Sequence, residues 1–108
     1  MMDYKTVESY ILSFDRSEES FPYGKDVAVF SVNDEMFALL IIGKEPLRLS
    51  LRADWQLSKL LREKYESVMP GEKLDSKKWN TIVLSGQLPW EEVQSLIRHS
   101  YNLVIGAN

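Results

Sequence analysis

The clearest pattern along the chain lies at residues 47–52, where leucine alternates with a polar side chain. A period of two is typical of a strand with one buried and one solvent-facing side. Residues 27–32 and 36–42 are rich in β-branched, aliphatic and aromatic side chains, and residues 33–35 between them predict a tight reversal. Because the connections are short, these three segments predict consecutive antiparallel strands.

Apolar residues spaced three or four apart predict three helices. Their expected positions are residues 4–15, residues 55–66 and a segment that starts at Pro89 and stops at Gly106. Asp3 and Asp54 precede the first two helices and suit their N-caps. Trp55 falls off the apolar stripe of the second helix, where it either staples the incoming chain or forms a binding ledge.

Two further strands are predicted, a short one near Val68 and a longer one at residues 79–85. The element order is then α-β-β-β-α-β-β-α, which predicts an α+β fold. We expect a two-layer α/β sandwich with a mainly antiparallel sheet and all helices on one face. A chain of 108 residues suits a single domain, residues 1–108.

Residues 36–42 are apolar on both sides, so the sheet face away from the helices needs a cover. The loop at residues 16–24 offers Phe21 and Tyr23 as an intramolecular lid, and a second subunit is the alternative. We favour the lid, and therefore a monomer, because one strand supplies less area than most homodimer interfaces.

The residue inventory excludes several kinds of chemistry. The chain has no cysteine and one histidine, His99, which excludes disulfides, thiolate sites and closed zinc sites. We find no nucleophile–base pair and no phosphate-cradling glycine loop, so we predict no catalytic residue, metal or cofactor. No apolar run approaches the ~20 residues of a membrane-spanning helix, and no signal peptide precedes the domain, which predicts a cytoplasmic protein without a membrane partner.

Charge is unevenly distributed along the chain. The formal net charge is −3, but residues 44–78 hold nine basic and six acidic side chains. The cations fall on the solvent-facing side of one strand and in the loop that runs into Trp79, a composition typical of phosphate-contacting segments. The candidate nucleic-acid contacts are Arg48, Arg52, Lys73, Lys77, Lys78 and, if it faces outward, Asn80. The alternative is that these lysines only discourage aggregation.

Several short motifs resemble the MmcQ/YjbR family along nearly the whole chain. They are Phe21-Pro22-Tyr23-Gly24, Leu51-Arg52-x-Asp54, Val68-x-Pro70-Gly71, Lys77-x-Trp79-Asn80-Thr81 and His99-Ser100-Tyr101. The resemblance implies a small bacterial cytosolic protein with the element order given above, a frataxin/CyaY-like arrangement and a double-wing DNA-binding candidate. Family members often carry histidine where Lys73 and Lys78 stand, and lysine keeps a fixed positive charge there.

These observations predict a non-enzymatic binding protein whose partner is double-stranded DNA, contacted through the basic region. Binding to phosphates alone would be weak, salt-sensitive and mostly independent of sequence. The alternative function is a protein-interaction or chaperone-like module that uses the open sheet face. Salt separates the two, because an apolar protein interface does not weaken steeply with ionic strength.

Overall fold

The computed structural model describes residues 3–106, which form three helices on a six-stranded sheet. The helices are α1 (Tyr4–Leu12), α2 (Trp55–Lys64) and α3 (Trp90–Ile105). The strands are β1 (Glu18–Ser20), β2 (Val27–Val32), β3 (Glu35–Ile41), β4 (Arg48–Arg52), β5 (Val68–Pro70) and β6 (Trp79–Val83). Every strand pairing is antiparallel, which confirms the predicted α+β fold. Within residues 3–106, no helix is long and apolar enough to cross a membrane.

One face of the sheet carries the main apolar core, and all three helices pack against it. The strand order is β1-β2-β3-β4-β6-β5. The helices contribute Val7 and Ile11 from α1, Leu61 from α2, and Val93, Leu96, Ile97 and Tyr101 from α3. Fully buried strand residues such as Phe30, Leu40 and Leu49 meet them. The helices therefore lie on one side, as predicted, and leave the other face of the sheet open.

β1 was not predicted, because its three residues are polar and show no apolar alternation. It is an edge strand whose backbone pairs with β2, with Glu18 opposite Ser31. The Tyr4 hydroxyl of α1 donates to the Glu8 carboxylate at 3.0 Å and also to the Glu19 carboxylate. A phenol shared by two carboxylates therefore ties the first helix to the edge of the sheet.

Tyr4, Glu8 and Glu19, which we call the Tyr4 cluster, make the free energy of unfolding depend on pH. Burial raises the pKa of the Glu19 carboxyl above the ordinary value of 4.5, and the Glu8 charge adds to the rise, while the Tyr4 hydrogen bond opposes it. A raised folded-state pKa means that ionised Glu19 destabilises the fold at neutral pH, and that this penalty disappears as the pH falls through the raised pKa toward 4.5. Glu19→Gln should therefore raise the free energy of unfolding at pH 7 and give no gain near pH 4.

Urea denaturation of wild type and Glu19→Gln across that range measures the effect. Glu18→Gln is the matched control, because it makes the same change at the neighbouring, exposed position of β1. An equal gain in both variants at pH 7 would contradict the proposed role of the Tyr4 cluster.

The α2 helix departs from its predicted pattern. Its apolar spacing predicts a buried side made of Leu57, Leu60, Leu61 and Tyr65. Leu60 is instead 64% exposed, and Ser58 is fully buried. The helix begins after Asp54, whose carboxylate accepts the Leu57 N–H at 2.9 Å, as predicted. Since Ser58 faces the sheet, α2 presents a hydroxyl to the core where an apolar stripe was expected.

Gly71 also differs from its prediction. The run Met69-Pro70-Gly71 predicts a type II turn in which the glycine accepts positive φ, but Gly71 does not adopt the left-handed region. Its constraint is close approach: a Cβ added there would lie 2.6 Å from the Trp79 Cβ, and the Gly71 N–H donates to the Trp79 carbonyl at 2.9 Å. The absent side chain lets the chain fold back over the open face of the sheet.

Candidate nucleic-acid interface

The lysines predicted to bind DNA lie on the segment that joins β5 to β6, residues 71–78, which we call the lysine loop. Its first part is fixed by the Glu72 N–H, which donates to the Thr81 hydroxyl at 2.9 Å. Its last part is fixed by the Lys78 N–H, which donates to the Asp75 carbonyl at 3.0 Å, and by the Ala53 N–H, which donates to the Lys78 carbonyl at 3.0 Å. The loop is therefore held on both the sheet and the start of α2.

Arg62 of α2 joins the helix to the lysine loop. Its Nε donates to Asn80 Oδ1 at 2.7 Å, and a terminal nitrogen donates to the carbonyls of Ser76 and Trp79. The guanidinium carbon also lies 5.5 Å from the centroid of the Trp55 ring. One side chain thus fixes the position of the loop relative to α2 and consumes most of its own donors.

Asn80 does not face outward, so its predicted contact with DNA is wrong. It is 3% exposed and lies on the helix side of the sheet. Its amide donates to the Ser58 hydroxyl at 2.9 Å while its carbonyl oxygen accepts from Arg62. Asn80 is part of an internal polar network, because a buried amide needs such partners.

Arg48 and Arg52 lie on the open face, as the alternation predicts, but both are engaged by other groups of the protein. Arg48 pairs with Glu72 at 3.3 Å. Arg52 donates from Nε to the Met36 carbonyl at 2.8 Å, pairs with Glu35 at 3.4 Å, and lies 4.9 Å from the Trp79 ring centroid. Arg48 therefore links β4 to the lysine loop, and Arg52 links β4 to β3. Phosphates would have to displace those contacts.

The predicted lysines separate into two groups. Lys77 and Lys78 are exposed at the α2 end of the lysine loop, and neither pairs with a carboxylate within residues 3–106. Lys73 is also exposed but lines a groove on the open sheet face, together with Lys44. The structure therefore leaves Lys77 and Lys78 beside α2 and places Lys73 at a different feature.

Lys59, which was not among the predicted contacts, completes a cationic patch. Lys59 is exposed on α2, and its Nζ lies 5.8 Å from the ring centroid of Trp55, which is 44% exposed. Lys78 is bonded to Ala53, two residues before that tryptophan. We call Lys59, Lys77, Lys78 and Trp55 the cationic patch. The sequence feature that could have identified Lys59 is its spacing from Trp55, since residues four apart share one helix face.

His99 lies beside the start of α2. Its Nε2 is 3.4 Å from both the amide nitrogen and Oδ2 of Asp54. In the hydrogen bonds of residues 3–106, the imidazole contacts Asp54 alone, and Oδ1 of that carboxylate caps α2. Across the same residues, no three His, Asp or Glu side chains gather as metal ligands would. The absence of a catalytic group, metal or cofactor stays a prediction.

Comparisons with known proteins show which family this chain is similar to. A family model described as YjbR matches residues 12–103. The chain is 26% identical over 96 residues to the uncharacterized protein YjbR of Escherichia coli K12, covering 89% of this chain and 81% of that protein. It is also 26% identical over 102 residues to the uncharacterized protein YbdF of E. coli O157:H7, covering 94% and 84% of the two chains.

Two solved structures are similar to this chain. A crystal structure of the Deinococcus radiodurans protein DR2400, described by the domain name DUF419, superposes with a TM-score of 0.92 at 36% identity. That match covers 96% of this chain and 79% of the other. A crystal structure of a Pseudomonas syringae protein superposes with a TM-score of 0.80 at 28% identity, covering 94% and 98%. The names of these relatives state no activity or ligand.

Proposed function

The chain belongs to the YjbR family, and on that premise we propose that it is a binding protein, not an enzyme, that contacts double-stranded DNA through the cationic patch. The observation that carries this proposal is the exposure of three lysines, Lys59, Lys77 and Lys78, on two elements locked together by Arg62. Lysines held on a fixed scaffold lose less freedom on binding than lysines on a mobile loop.

The cationic patch determines the strength and the sequence preference expected of DNA binding. Each lysine neutralises one phosphate and releases its condensed counterions, a contribution that carries no sequence information. The formal charge of the whole chain is −3, so the protein as a whole does not attract the duplex and the cationic patch must supply the attraction. The expected complex is weak and largely independent of sequence.

The slope of the affinity with salt tests the patch. Three phosphate contacts predict that log K falls against log salt concentration with a slope of about −2.7, whereas the five arginines and lysines first inferred from the sequence predict about −4.5. Fluorescence anisotropy with a labelled duplex between low and physiological salt measures this slope. A slope near −4.5 would contradict the internal roles of Arg48 and Arg52, and a slope near zero would reject the proposed function.

A pair of double variants serves as the control. Lys77→Gln with Lys78→Gln should reduce the slope to about −1, because two of three contacts are lost. Lys44→Gln with Lys73→Gln removes the same charge outside the patch and should leave the slope within the error of wild type. Equal losses in the two double variants would reject the patch in favour of a diffuse charge effect.

The protein-interaction alternative has less surface available than the sequence indicated. Leu74 of the lysine loop packs against Val29, Leu39 and Trp79 on the open sheet face. What stays open beside Leu74 is a groove of about 550 Å³. Small-ligand sites span about 300–1,000 Å³, and the volume of the groove falls in that range. The groove therefore suits a small ligand.

A further inference from the structure

The groove on the open face is bordered by the segments that connect β1 to β2, β3 to β4, and β5 to β6. Its lining is Tyr23, Val27, Leu39, Ile41, Lys44, Ser50, Glu72, Lys73 and Leu74. The predicted lid does not close over it, since Phe21 and Tyr23 are 45% and 64% exposed. Tyr23 reaches the rim, where its hydroxyl lies 3.9 Å from the Met36 sulfur. The covering segment is the lysine loop on the opposite side, through Leu74.

The interior of the groove favours apolar groups. Its floor is made of Val27, Leu39 and Ile41 from β2 and β3. The Ser50 hydroxyl is bonded to the Thr81 hydroxyl at 2.8 Å, and the latter also accepts the Glu72 N–H. Because Ser50 and Thr81 bond to each other and are 1% and 0% exposed, they offer little to a ligand, and a polar ligand core would lose its hydrogen bonds to water without replacing them.

More positive than negative side chains surround the groove. Glu72 pairs with Lys44 at 3.4 Å and with Arg48 at 3.3 Å. Burial alone would raise the pKa of the Glu72 carboxyl, but the hydrogen bonds and charges of Lys44 and Arg48 outweigh it and lower the pKa, so Glu72 stays ionised. One carboxylate thus faces two cations, and Lys73 adds a third that pairs with no carboxylate of residues 3–106.

We propose that this groove binds an apolar molecule with a single anionic headgroup, such as a medium-chain carboxylate. The apolar part lies along Val27, Leu39 and Ile41, and the headgroup pairs with Lys73 and draws on Lys44, which shares its carboxylate partner Glu72 with Arg48. The excess positive charge selects an anion, and the satisfied hydroxyls reject a sugar-like or multiply polar ligand. This site is independent of the DNA proposal, since it shares no residue with the cationic patch.

Octanoate and 1-octanol form a matched pair of probes, equal in chain length and different in charge. Titration of the ¹⁵N-labelled full chain with octanoate should saturate and shift the amide signals of Val27, Leu39 and Ile41 in ¹H–¹⁵N spectra. We expect 1-octanol to bind at least fivefold more weakly. Equal affinity for the two probes would overturn the headgroup assignment, and octanoate shifts confined to the exposed Leu57–Leu60 side of α2 would overturn the site.

Variants separate this site from simple surface charge. Lys44→Gln with Lys73→Gln should weaken octanoate binding at least fivefold and leave 1-octanol binding within twofold of wild type. Lys77→Gln with Lys78→Gln makes the same change of net charge and should leave octanoate binding unchanged. Unchanged octanoate affinity in the Lys44 and Lys73 double variant would reject the proposal, whatever the outcome for DNA.

Discussion

Replacement of Asn80 by alanine is expected to lower the free energy of unfolding by about 3 kcal/mol, because it removes the centre of a buried polar network. Asn80 links Ser58 to Arg62 at 2.9 and 2.7 Å and is 3% exposed. Without the amide, the Ser58 hydroxyl loses its donor in a fully buried position. Arg62 also loses the acceptor that fixes its Nε.

Urea denaturation followed by circular dichroism measures this loss. Asn80→Asp is the conservative control: it keeps the shape and the acceptor for Arg62, and the arginine charge compensates the new carboxylate, so a smaller loss is expected. Arg62→Ala and Asn80→Ala together should cost less than the sum of the single changes, because they disrupt one network. A loss below about 0.5 kcal/mol for Asn80→Ala would place the residue outside the stabilising core.

The same variant separates a structural role from a direct contact. If Asn80 acts only inside the network, Asn80→Ala measured well below its unfolding temperature keeps a salt slope near that of wild type. A slope that falls by about 1 would indicate a lost phosphate contact instead. The measurement therefore checks the corrected assignment of Asn80 against the one first made from sequence.

Much of the sheet could be predicted because its signals are local. β2 has the predicted bounds. β3 begins and ends one residue earlier than predicted, and β4 begins one residue later. Apolar alternation and short connections decide such strands without reference to the rest of the molecule. β1 could not be found this way, since its three polar residues show no alternation and its contacts, the backbone pairing with β2 and the Tyr4–Glu19 hydrogen bond, come from other segments.

The orientation of β6 could not be predicted from its own residues. Trp79 points to the open face and Asn80 to the helices, the reverse of the usual preference for apolar side chains in the main core. Two distant segments make this arrangement favourable. Arg62 and Ser58 of α2 satisfy Asn80, while Arg52 and Leu74 cover Trp79. Both arrangements depend on tertiary contacts, which a strand pattern does not contain.

Which of the predicted site residues are available to a ligand could be judged only in part, for a similar reason. A count of arginines and lysines does not show which of them the protein itself uses, and Arg48 and Arg52 are paired with Glu72 and Glu35 from other segments. Lys77 and Lys78 were identified correctly as exposed because a polar loop has few internal partners. Their neighbour Lys59 comes from a different element, so only the fold brings it to the same surface.

Ser100→Ala is expected to lower the free energy of unfolding by about 2–4 kcal/mol, because two buried backbone groups would lose their partner. The Ser100 hydroxyl donates to the Phe37 carbonyl at 2.6 Å and accepts the Arg52 N–H at 2.9 Å. Phe37 and Arg52 stand one step beyond the last paired residues of β3 and β4, Ala38 and Leu51. The serine of the His-Ser-Tyr motif thus joins α3 to two strands where their pairing stops.

Ser95→Ala provides the matched control, because Ser95 lies on the same helix and is exposed, and its side chain bonds only the Glu91 carbonyl of its own turn among residues 3–106. Its loss should stay within about 0.5 kcal/mol. Native-state hydrogen exchange adds a local readout: in Ser100→Ala the Arg52 amide should lose protection more than the amides at the centre of β4. Similar stability of the two variants, or an Arg52 amide as protected as in wild type, would show that β3 and β4 close this gap without the serine.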